Sequence, residues 1–122
     1  MLRIAVLVSG GGTNLQAIID AVKQRKLTAV EIALVISNKP DVFALERAKT
    51  CEIPAICINP KEYADKEAYE RAMLDALSKA DAELIVLAGF LVVLSPGFVK
   101  AYEGRIINIH PSLIPSFCGD GY

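Results

Sequence analysis

The stretch RIAVLV, residues 3–8, has no polar side chain after its arginine and runs straight into SGGG. A half-exposed strand alternates apolar and polar residues, so a strand that is apolar throughout must be covered on both faces. Similar short apolar runs recur along the chain, each separated from the next by a segment of helical character. TNLQAIIDAVKQRK (13–26) sets Leu15, Ile18, Ile19 and Val22 on one helical face. VEIALVIS (30–37) reads as a second strand, and DVFALERAKTC (41–51) as a helix with Asp41 near its N-terminus, where a negative charge suits the dipole. IPAICI (53–58) reads as a third strand. DKEAYERAMLDALSKA (65–80) reads as a helix with Tyr69, Met73, Ala76, Leu77 and Ala80 along one stripe. Glu67–Arg71 and Asp75–Lys79 are spaced to pair on its surface. ELIVLAG (83–89), the short helix PGFVKAYEG (96–104) and the strand RIINIH (105–110) complete the pattern. Strands that alternate with helices call for right-handed crossovers and parallel pairing. The expected class is α/β: an open, mostly parallel, Rossmann-like sheet with helices on both faces.

The totals agree with one soluble domain. A length of 122 residues is enough to bury a core, and 53% of them are hydrophobic. Thirteen Lys+Arg against fourteen Asp+Glu leave a formal charge of −1, which gives nucleic acid or an anionic membrane nothing to grip. No apolar run nears the roughly 18 residues of a bilayer span. The run Ile4–Val8 is too short for the core of a signal peptide. Cys51, Cys57 and Cys118 have no C-x-x-C spacing, which argues against a zinc site or a disulfide framework and fits a reducing, cytoplasmic setting.

In sheets of this kind ligands collect beyond the carboxyl ends of the strands. Three unusual loops fall there. SGGGTN joins a buried strand to a helix, so backbone N–H groups and a helix N-terminus converge on an anion site. The dinucleotide fingerprint needs G-x-G-x-x-G and an acidic residue about 20 positions later. Here Leu15 stands at the third glycine position and the second strand ends in Ser37-Asn38. A P-loop is also absent, so the loop suits a monophosphate; a tight turn capped by Thr13 is the alternative reading. LAGFLVVL (87–94) keeps apolar side chains going past its strand, which fits either core packing or an apolar slot for a heterocycle. Asn108 and His110, two apart on an extended strand, project to one side while Ile107 and Ile109 project to the other. An amide beside an imidazole can donate to a developing oxyanion, and histidine can pass a proton near neutral pH. The alternative is a half-buried histidine with satisfied hydrogen bonds.

VSGGGTNLQAIID, VISNKP, VLAGFLVVLSP and NIHPSLIPS, in this order and spacing, resemble the glycinamide ribonucleotide transformylases, the folate-dependent phosphoribosylglycinamide formyltransferases of purine biosynthesis. The resemblance covers essentially the whole chain. It implies transfer of a formyl group from 10-formyltetrahydrofolate to the amine of glycinamide ribonucleotide, by direct attack through a tetrahedral intermediate and without a metal. It puts the substrate phosphate on the backbone of Gly12, Thr13 and Asn14. Folate contacts fall on Leu91, Val92, Val93, Leu94, Lys66 and Asn108, and Val92 stands where many members carry arginine. Asn108 also takes the oxyanion contact, and His110 the role of proton donor. Family chains continue well past the equivalent of residue 122, and the aspartate that pairs with the histidine lies in that continuation. Residues 1–122 are therefore expected to form a single N-terminal portion of the domain. Partners are expected to be the two small molecules, with no nucleic acid or membrane, in a monomer or homodimer.

Rival readings differ at identifiable places. A methionyl-tRNA formyltransferase would share the HPSLIP region but carry a basic loop after it and lack the SGGGTN cradle. A formyltetrahydrofolate hydrolase would carry a small domain ahead of the first strand, which begins here at residue 3. A non-catalytic nucleotide-binding fragment would keep the cradle and lose the aspartate.

Overall fold

The computed structural model describes residues 2–9, 13–23, 29–40, 43–90 and 94–109. Five strands, β1 (Leu2–Val8), β2 (Val30–Ser37), β3 (Ala55–Cys57), β4 (Leu84–Ala88) and β5 (Ile106–Ile109), form one sheet in the order β3-β2-β1-β4-β5. Every pairing is parallel, as strands apolar on both faces require. Helices α1 (Thr13–Lys23), α2 (Phe43–Thr50), α3 (Lys66–Lys79) and α4 (Pro96–Ala101) link them, with a 3-10 turn at Pro60–Glu62.

The two faces hold separate cores. Ile4, Val6, Val8, Val86 and Ala88 pack under α1 and α2 with Leu15, Ile18, Ile19, Ala44 and Ala48. Ala5, Leu7, Ile36 and Ile85 pack under α3 and α4 with Tyr69, Met73, Leu77 and Phe98. The expected stripes of α1 and α3 are thus the buried ones, although Val22 contributes no described side chain. The surface pairs Arg71–Glu67 and Lys79–Asp75 form at 3.1 and 3.2 Å. Both are exposed and add little stability.

Several boundaries are tighter than the pattern implies. β3 starts at Ala55 because the N–H of Ile53 is already given to the Ala48 carbonyl at 2.8 Å and Pro54 has none to give. α4 stops at Ala101, where Tyr102 leaves helical geometry and the chain turns through Gly104 at φ 75°. In β2 the register steps from Ile4↔Ile32 to Ala5↔Leu34, so Ala33 is an extra residue. The bulge sends Ile32 to the α1/α2 core and Leu34 to the α3/α4 core.

Candidate functional site

The strand order reverses direction between β1 and β4, and in sheets of this kind a ligand crevice is expected at that switch, beyond the carboxyl ends at Val8 and Ala88. Asn38 N–H donates to the Val8 carbonyl at 3.2 Å, which closes the exit of β2 onto the end of β1. The Ser37 hydroxyl donates to the Lys39 carbonyl at 2.7 Å and accepts from Lys39 N–H at 3.1 Å, fixing that turn. Asn38 is 8% exposed, and its Oδ1 meets no donor among the described residues. In the sequence Asn38 marks only the absence of a carboxylate after the second strand, and nothing there signals its burial.

Of the proposed phosphate cradle, Gly12 lies outside the described residues. Thr13 and Asn14 are the first two residues of α1. Thr13 is therefore inside the helix, one place beyond a capping position. Both N–H groups belong to the first turn, whose donors have no carbonyl within the helix to bind. They are the donors an anion at the crevice would meet.

On the other side, Gly89 takes φ 70°, which lets the chain leave β4 abruptly. Phe90 and Leu94 then pack against the α3/α4 core. Leu94 is half-buried against that core, while Leu91, Val92 and Val93 lie outside the described residues. Ser95 caps α4: its hydroxyl accepts from Phe98 N–H at 3.4 Å, and Pro96 opens the helix. Glu70 of α3 accepts from Ser95 N–H at 2.8 Å and from the Ser95 hydroxyl.

Lys66 is the first residue of α3, after Asp65, which caps the helix by accepting from Ala68 N–H at 2.8 Å. It is exposed, forms no ion pair among the described residues, and precedes Glu70 by one turn on the same face. Asn108 is exposed near the end of β5, in register with Leu87. His110, the expected proton donor, lies outside the described residues.

Glu70 and Tyr69 had no functional reading in the sequence. At about 100° per residue, Glu70 falls at the edge of the Tyr69–Met73–Leu77 stripe, and that position was the available signal. Tyr69 is 1% exposed, and its hydroxyl has no partner among the described residues. Burial, then the nearby charges of Glu70, Cys57 and Tyr63, push its pKa up to about 12. The phenol remains a proton-bearing donor at any physiological pH.

Two open hollows lie at the opposite, amino-terminal edge of the sheet, about 500 and 370 Å³ in volume, and Arg3 lines both. That guanidinium already donates to the Ala80 carbonyl from Nε at 3.1 Å and Nη2 at 2.8 Å, and to Glu31 at 3.1 Å. It serves the fold. Among the described residues there is no His/Cys/Asp/Glu group able to hold a metal and no helix long and apolar enough to cross a membrane.

The chain is similar to known proteins over nearly its whole length. It is 44% identical over 118 residues to a phosphoribosylglycinamide formyltransferase of Escherichia coli strain K12, covering 97% of this chain and 55% of that one. It is 47% identical over 118 residues to a Trifunctional purine biosynthetic protein adenosine-3 of Chironomus tentans, covering 96% of this chain and 9% of that protein. A crystal structure of phosphoribosylglycinamide formyltransferase from Bacillus halodurans superposes with a TM-score of 0.85 at 45% identity, over 94% of this chain and 59% of that one. The chain thus spans little more than half of these single-activity relatives. Residues 2–121 match the formyl transferase family, so that hardly any of the sequence falls outside the match, and the chain belongs to that family.

Proposed function

We propose that the protein moves a formyl group from 10-formyltetrahydrofolate to the amine of glycinamide ribonucleotide, a step of purine biosynthesis. The observation that carries this is the division of the crevice. The N-terminus of α1 stands on one face of the sheet. The start of α3 with Lys66, the described residues Phe90 and Leu94, and Asn108 stand toward the other. A phosphate-bearing acceptor and an apolar donor would each have a side. Relatives named as phosphoribosylglycinamide formyltransferases favour this over the tRNA-directed and hydrolytic readings.

In this reading the ribonucleotide phosphate sits on the backbone of Gly12, Thr13 and Asn14. The folate is held by Leu91, Val92, Val93, Leu94, Lys66 and Asn108, with the lysine charge available to a carboxylate of the donor. The amine attacks the formyl carbon directly. Asn108 and protonated His110 donate to the oxyanion; His110 then protonates the folate nitrogen as its bond to the formyl carbon breaks, and the ammonium formed on the substrate returns a proton to the imidazole. No metal enters, the setting is cytoplasmic, and the protein works as a monomer or homodimer. Residues 1–122 are read as the N-terminal portion of the domain, with the histidine's aspartate supplied from beyond them.

The test is a spectrophotometric assay of folate deformylation that depends on added glycinamide ribonucleotide. His110→Ala should lower kcat by at least about 10²-fold. Near-normal turnover in that variant sinks the proposed proton transfer.

A further inference from the structure

Glu70 is 7% exposed, and no lysine or arginine pairs with it among the described residues. A carboxyl group taken out of water needs compensating donors. Both of those found here come from one residue 25 positions away: Ser95 N–H at 2.8 Å and the Ser95 hydroxyl. Ser95 is also the cap of α4, and Phe98 in that helix is 1% exposed. The contact therefore ties the second turn of α3 to the place where the chain re-enters the core after β4. Phe90 and Leu94 pack into the same core on either side of residues 91–93. Lys66 stands one turn before Glu70, so one helix face carries both the cation and the anchor.

We propose that Glu70 is a positioning residue for the formyl donor. Bound to Ser95, it sets the spacing between α3, which carries Lys66, and the start of α4. This rests on the formyl-transfer reading above. The role is selective, because α1 and its phosphate-binding end pack on the opposite face of the sheet. Loosening the Glu70–Ser95 contact should disturb the donor and leave the ribonucleotide undisturbed.

The experiment is steady-state kinetics on the wild-type protein and on Glu70→Gln, Ser95→Ala and Ser95→Thr, with a thermal melt of each. Gln at position 70 matches Glu in shape but cannot accept from both Ser95 donors. Glu70→Gln and Ser95→Ala should each raise KM for 10-formyltetrahydrofolate about tenfold and leave KM for glycinamide ribonucleotide within about twofold. Ser95→Thr, which keeps the hydroxyl, should restore the donor KM. The double variant should be no worse than either single one, since both remove the same contact. Equal rises in both constants, or none in a folded Glu70→Gln, overturn the positioning role alone. A wild-type protein that formylates no glycinamide ribonucleotide overturns the formyl-transfer reading and the positioning role with it.

Discussion

Leu87 on β4 and Asn108 on β5 are register partners, and Leu87 packs into the core beneath α3 and α4. Parallel partners share a face, so Asn108 projects on the side of the β4–α4 connection. Val86 packs on the other face, and its partner Ile107 is 47% exposed there. The alternation read from the sequence thus matches the face on which Asn108 lies, and the proposed role there is an oxyanion contact. Asn108→Ala should lower kcat by about 10²-fold. Because Asn108 is exposed, the loss of stability should stay within about 1.5 kcal/mol, the size of one net hydrogen bond. Saturating-substrate kinetics beside a denaturant melt separate the two, and an unchanged kcat removes Asn108 from the mechanism.

The backbone of α1 from Thr13 onward starts at the crevice, directly after the glycine run. In the proposed reading the phosphate uses the main-chain N–H groups of residues 12–14, with which a bulky side chain at position 12 would compete. Gly12→Val should therefore raise KM for glycinamide ribonucleotide by about tenfold or more, and barely move KM for the formyl donor. This is the reverse of the pattern expected for Glu70→Gln. An unaltered ribonucleotide KM means that the phosphate binds elsewhere.

Much of the fold was legible because strands apolar on both faces admit few arrangements other than a covered parallel sheet. What escaped is local. The bulge at Ala33 leaves no mark in VEIALVIS, since a strand buried on both faces shows no alternation to interrupt. α2 and α3 both end in closing turns with Glu52 and Asp81 at φ 61° and 55°, where the usual sign is glycine. Of the candidate site, Lys66 and Asn108 were named from the sequence and lie at the start of α3 and near the end of β5. Glu70 was hidden because its partner Ser95 is distant in sequence, and a charge next to an apolar stripe reads as surface.

Arg3 closes the carboxyl end of α3 through two hydrogen bonds to the Ala80 carbonyl, at 3.1 and 2.8 Å. A cation at that end also suits the helix dipole. Its ion pair with Glu31 at 3.1 Å is half-exposed and worth less than about 1 kcal/mol. Arg3→Ala should therefore cost about 1–2 kcal/mol in urea unfolding, and Glu31→Ala less than half of that. Equal losses from the two substitutions would place the stabilisation in the ion pair and not in the helix end.

The buried hydroxyl of Tyr69 makes the stability of the protein fall in alkali. Its pKa of about 12 in the folded chain exceeds the ordinary value of 10.0, with burial as the largest cause. Below pH 10 the phenol is protonated in both states and contributes no pH dependence. Between about pH 10 and 12 the unfolded chain releases the proton while the folded chain holds it, so the free energy of unfolding falls as pH rises. Two pH units of displacement correspond to at most about 3 kcal/mol. Tyr69→Phe removes this titration together with a hydroxyl that has no partner among the described residues. At pH 7 the variant should match wild-type stability or exceed it by up to about 1 kcal/mol. Its advantage should widen steadily from pH 10 upward, measured by urea unfolding at fixed ionic strength. Parallel curves for the two proteins across that range would show that the phenol titrates alike in both states.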